Sequence, residues 1–103
     1  MRGIIPHLRN HPDIRARRGV CDALAMAGDD ISFDDLTGPK GDPLCPAYIA
    51  EKITYIGLLR AKNCGRLSAI RVAVWIEAET GKEWERITPA DKRRALAHLG
   101  YID

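Results

Sequence analysis

The stretch LSAIRVAVWIEAETGKEWERIT, residues 67 to 88, decides how this chain is read. Ile70, Val72, Val74 and Ile76 alternate with Arg71, Ala73, Trp75 and Glu77, which is the period-2 pattern of a half-buried strand. Thr80-Gly81 then reads as a turn, and residues 82 to 87 as a return strand. A helical reading competes, because Leu67, Ile70, Val74 and Ala78 also fit a 3.6-residue period. The density of β-branched residues and the Thr-Gly turn favour the two-stranded ribbon.

Working outward, Thr88, Pro89 and Asp91 give the next segment an N-cap, a first-turn proline and an acidic third position. A C-terminal helix is expected there, with Leu96 and Leu99 inward and Gly100 as its stop. Upstream of the ribbon, Pro46 opens a long helix to about residue 63, with Ile49, Ile53, Ile56 and Arg60 at spacings of three and four. Its other face carries Tyr48, Glu51, Lys52, Tyr55 and Lys62, and Cys64-Gly65 ends it.

The first helix is expected over about residues 12 to 27, with Pro12 in the first helical position and Asp13 favourable to the dipole. Ile14, Val20, Cys21, Leu24 and Ala25 form its apolar face, and Gly28 stops it. Between these helices, Ser32 and Asp35 resemble a capping box for a short helix at 33 to 37. Ile31 is a candidate bridge to the ribbon, and Gly38, Pro39, Gly41 and Pro43 make residues 38 to 45 a loop.

With 103 residues and no linker or repeat, the chain reads as one domain, preceded by a flexible basic arm at residues 1 to 11. Its fold class is α+β and mainly α: three N-terminal helices, the ribbon and a C-terminal helix. No apolar run is long enough for a membrane span, and the basic N-terminus lacks the apolar core of a signal peptide, so a cytoplasmic protein is expected. Cys21, Cys45 and Cys64 are widely spaced without a C-x-x-C pair, which argues for free thiols rather than disulfides. Combining them with His7 and His11 into a zinc site lacks the tight cysteine pairs such sites use. No cofactor or metal is expected.

The net charge of +2 conceals an uneven distribution. Residues 1 to 20 carry +4, residues 21 to 45 carry −5 and residues 46 to 103 carry +3. Basic segments around an acidic one are compatible with nucleic-acid binding. Arg2, Arg9, Arg15, Arg17 and Arg18 could lie on a phosphate backbone or form a solvated face. Asp29, Asp30, Asp34 and Asp35 lack the glycine and terminal glutamate of a calcium loop and read as helix caps, or as an acidic surface for a basic partner.

In order and length, the elements resemble the winged helix-turn-helix superfamily. IRARRGVCDALAMAG looks like its first helix, ISFDDLTG its short strand and second helix, CPAYIAEKITYIGLLRAKNCG its third helix, and LSAIRVAVWIEAETGKEWERI its wing. That resemblance implies duplex DNA as the partner. Tyr48, Lys52 and Tyr55, with Thr54 more weakly, would face the major groove. Lys40, Lys62, Arg66, Lys82 and Arg86 would meet phosphates.

Trp75 and Trp84 would be cross-strand neighbours on the outer face of the ribbon, forming a partner surface unless the last helix covers them. The narrow stripe of that helix favours burial between two copies, as a homodimer. No G-x-S-x-G, phosphate loop, H-E-x-x-H or Cys-His arrangement points to catalysis. The expected function is therefore a small DNA-binding protein without enzymatic activity, such as a bacterial or phage transcriptional regulator. The alternative is a protein-binding module, or a phage or mobile-element inhibitor, acting through an acidic or tryptophan-bearing surface.

Overall fold

A computed structural model describes Leu8 and residues 11 to 28, 45 to 61 and 64 to 102. The short helix expected at 33 to 37, the Ile31 bridge, the loop up to residue 44, Lys40, Lys62 and nearly all of the basic arm lie outside the described residues. The described residues form five α-helices in order: α1 Ile14–Met26, α2 Pro46–Lys52, α3 Tyr55–Arg60, α4 Arg66–Thr80 and α5 Pro89–Leu99. Among the described residues there is no strand, so the winged-helix expectation is overturned and the architecture is all-helical.

The correction falls on the deciding stretch. Residues 66 to 80 form one continuous helix, α4, in which Ser68, Ala69, Ile70 and every residue from Val72 to Ile76 are buried. A helix whose middle is packed on all sides has no continuous polar stripe, so its 3.6-residue period is weak. The alternation of β-branched residues was incidental to a helix enclosed by its neighbours. Thr80-Gly81 does change the chain direction, but as the helix end. Gly81 takes the left-handed conformation with φ 76°, its N–H donates to the Glu77 carbonyl, and the Thr80 hydroxyl donates to the Ile76 carbonyl at 2.7 Å. Residues 81 to 88 connect α4 to α5 instead of returning as a strand.

The long helix expected from 46 to 63 is two short ones. Ile53 and Thr54 are extended, at φ −127°, ψ 163° and φ −113°, ψ 162°. Both are β-branched, and the Thr54 hydroxyl accepts from the Gly57 N–H at 3.0 Å, so the break supplies the cap of the helix that follows. Ile56, expected inward, is left 62% exposed.

Helix α1 begins two residues later than its proline suggested. Asp13 is its N-cap, with Oδ1 accepting from the Arg15 and Ala16 N–H groups at 2.9 and 3.1 Å. Its buried face is Ala16, Gly19, Val20, Cys21, Ala23 and Leu24, while Ile14 and Ala25 are exposed. Small residues let α1 approach the chain closely. Helix α5 matches its sequence signals: Thr88 caps it by accepting from the Asp91 N–H, Pro89 is in the first turn, and Leu99 is buried. Gly100 closes it at φ 89°, with Gly100 N–H bonded to the Ala97 carbonyl and Tyr101 N–H to the Leu96 carbonyl.

Helix α4 is the axis, and α1, α2, α3 and α5 all pack against it. The core joins Leu8, Val20, Leu24, Ile49 and Leu58 to Val72, Val74, Trp75 and Ile76 of α4, with Ala95 and Leu99 from α5. No helix among the described residues is long and apolar enough to cross a membrane.

Candidate functional site

The residues expected to contact DNA divide between packed rings and exposed cations. Tyr48 and Tyr55 are half-buried and packed against the core, so neither stands on an open recognition surface. Lys52 sits over the Tyr48 ring with its Nζ 5.4 Å from the centroid, one turn along α2. Tyr55 opens α3 and meets Trp84 edge-on at 6.1 Å, and burial raises its phenol above the ordinary value. Lys52, Arg66, Lys82 and Arg86 are all exposed. With α2 and α3 separate and the wing absent, a single groove-entering helix is not built from these residues.

The two tryptophans occupy different environments, contrary to the cross-strand expectation. Trp75 is wholly buried in the middle of α4, with the His11 ring edge-on at 5.4 Å. Trp84 lies in the α4–α5 connection, half-buried, and donates its indole N–H to the Ala50 carbonyl at 3.3 Å. That carbonyl belongs to the last turn of α2, where helical partners run out. Since one chain already encloses Trp75, the tryptophans no longer argue for a homodimer.

At the opposite end, the sequence pointed to Arg15 and Arg66 as phosphate contacts but not to Arg60. Arg15 from α1 lines a shallow depression of about 370 Å³ with Ala61, Cys64 and Gly65, the junction between α3 and α4. Arg60 and Arg66 flank that junction in the chain and are exposed, as Arg15 is. Helix α4 begins here with no side-chain cap. Arg60 had been read as an inward residue of the long helix, a consequence of missing the break at Thr54.

Burial sorts the charges by sign. Nine of the twelve described Lys and Arg side chains belong to exposed residues, but of the eight described Asp and Glu only Glu51 and Glu83 do. The other carboxylates are partly covered, several as partners of cations. Asp13 Oδ2 accepts from Ser68 Oγ at 2.9 Å and from Arg71 at 3.0 Å, Glu77 accepts from Lys92 at 3.1 Å, and Asp91 pairs with Arg94. Burial alone would raise the Asp13 carboxyl, yet the hydrogen bonds from Ala16, Arg71 and Ser68 outweigh it and hold the group below its ordinary value. The surface of the described residues is consequently more cationic than the net charge suggests.

Burial favours the neutral forms of the Cys64 thiol and the His11 imidazole. Burial pushes the Cys64 thiol up to about 11, far from a thiolate nucleophile. His11 is 1% exposed, and its Nδ1 accepts from the Asp13 N–H at 3.1 Å. That bond leaves the proton on Nε2, which has no hydrogen bond of ordinary geometry although the Arg71 backbone is near. Among the described residues, no three His, Cys, Asp or Glu side chains converge as a metal site would require. No family model, curated protein or solved structure matches this chain.

Proposed function

We propose that the protein is a small, non-enzymatic DNA-binding protein that contacts the phosphate backbone through its arginine-bearing end, without a wing. The observation that carries this reading is the sorting of charges, in which exposed cations greatly outnumber exposed carboxylates among the described residues. Arg15, Arg60 and Arg66 are the first candidates because Arg15 lines the α3–α4 junction, Arg60 and Arg66 flank that junction in the chain, and all three are exposed. Lys52, Lys82 and Arg86 add cations elsewhere on the surface.

Each guanidinium placed on a phosphate displaces counterions, so affinity of this type falls steeply with salt and depends little on sequence. Arginine suits the task, since its planar fork bonds two phosphate oxygens at once. The test is anisotropy of a labelled duplex over a salt series. Binding that weakens steeply with salt is expected, and Arg15→Gln, Arg60→Gln and Arg66→Gln should each lower the salt slope by about one. Absence of binding at low salt overturns the proposal.

A further inference from the structure

A second concavity lies away from the arginine end, between α2, the C-terminal end of α4 and the connection that follows it. It is a groove of about 630 Å³ whose apolar lining comes from Pro46, Ala47, Ala50, Ile76 and Trp84. Its wall is fixed by its own bonds. The Trp84 indole N–H is held by the Ala50 carbonyl, and its ring is braced edge-on by Tyr55.

The charge around this groove is the reverse of that on the rest of the described surface. Glu51 and Glu83, the two exposed carboxylates among the described residues, both line it, and Glu79 joins them with its carboxylate bonded to the Tyr101 hydroxyl. Lys82 is the single cation in the lining. Among the described residues, the exposed negative charge is thus concentrated around this apolar recess.

We infer that this groove is a docking site for a short segment of a partner protein, in which an apolar side chain is flanked by lysine or arginine. The apolar residue would lie against Trp84, Ala47 and Ala50, with its basic neighbours over Glu51 and Glu83. A recess that buries an anchor and a rim that pairs its flanking charges divide affinity and selectivity in the usual way for peptide recognition. A nucleic acid is the wrong ligand here, because phosphates would meet carboxylates. The inference is independent of the DNA reading, as none of Arg15, Arg60 or Arg66 lines the groove.

The Trp84 indole N–H resonance gives a direct test in the full chain. Synthetic peptides with a central leucine or phenylalanine, flanked either by lysines or by glutamates, would be titrated while this signal and the Ala47 and Ala50 methyl groups are followed. Lysine-flanked peptides should shift them saturably and glutamate-flanked ones should not. Glu51→Gln and Glu83→Gln, both exposed and so compatible with folding, should each weaken binding by about threefold. Equal shifts from both peptide sets, or none from either, would overturn the inference. So would shifts that depend on protein concentration without peptide, which would mark the groove as a contact between copies. Loss of DNA binding in the arginine variants with peptide binding intact would show the two surfaces to be separate.

Discussion

Gly19 of α1 lies so close to Cys64 that a Cβ on the glycine would fall 2.3 Å from the cysteine Cβ and 2.7 Å from its sulfur. The glycine weakens α1 as an isolated helix, but it permits the close approach that seats α1 on the α3–α4 junction. Gly19→Ala would gain up to about 1 kcal/mol of helix propensity and lose more to the clash. A net destabilisation of about 1 to 3 kcal/mol is expected in urea denaturation. Adding Cys64→Gly should restore much of it, because the relevant contact is with that side chain.

Asp13 ties the start of α1 to α4 by serving as N-cap with one oxygen and as partner of Ser68 and Arg71 with the other. Asp13→Ala removes the cap and leaves a partly covered guanidinium without its carboxylate, at a cost of about 2 to 3 kcal/mol. A double-mutant cycle with Arg71→Ala should show coupling of about 1 kcal/mol. Strict additivity would show that the ion pair contributes nothing beyond the cap.

His11 predicts a specific pH profile. Burial lowers its imidazole from 6.5 to about 4, so it stays neutral in the folded protein where the unfolded chain would take up a proton. The unfolded state therefore binds more protons between those values, and stability falls as pH drops from about 6.5 towards 4. The loss is at most about 3 kcal/mol at 1.36 kcal/mol per pH unit. The Asp13 contribution persists over that range and is lost only below 3.8, as pH falls through its lowered value. Denaturation midpoints measured across pH should flatten between 6.5 and 4 in His11→Phe.

The tryptophans can be separated by fluorescence and stability. Trp75→Phe should leave emission from the half-buried Trp84, shifted to the red of the wild type, whereas Trp84→Phe should leave the blue-shifted emission of Trp75. Truncation of Trp75 to alanine should cost about 3 to 5 kcal/mol, a large part of the stability of a domain this size. Similar emission maxima for the two Phe variants would contradict the difference in burial.

Legibility in the sequence followed how local each signal was. The C-terminal helix was readable because Thr88, Pro89, Asp91 and Gly100 act within one turn of themselves. Asp13 gave a local signal too, but its bond to Arg71 spans 58 positions and is invisible without the fold. The α2–α3 break was marked by adjacent β-branched residues, Ile53 and Thr54, and was overridden by an apolar spacing that continued across it. For α4 the failure has a physical cause, since burial around its middle weakened the periodicity that identifies a helix. Of the expected contact residues, the cations Lys52, Arg66, Lys82 and Arg86 are exposed. The tyrosines and Trp75 were drawn into packing by neighbours far along the chain.

The position of α4 also dictates how the molecule opens. Hydrogen exchange at an amide requires its bond to break in the presence of water, and water reaches the middle of α4 only when the surrounding helices leave it. The amides of Val72 to Ile76 should exchange at the rate of global unfolding, while those of the outer helices exchange through smaller fluctuations. Surface contacts on α2 or α1 can therefore loosen and re-form while the central helix keeps its hydrogen bonds.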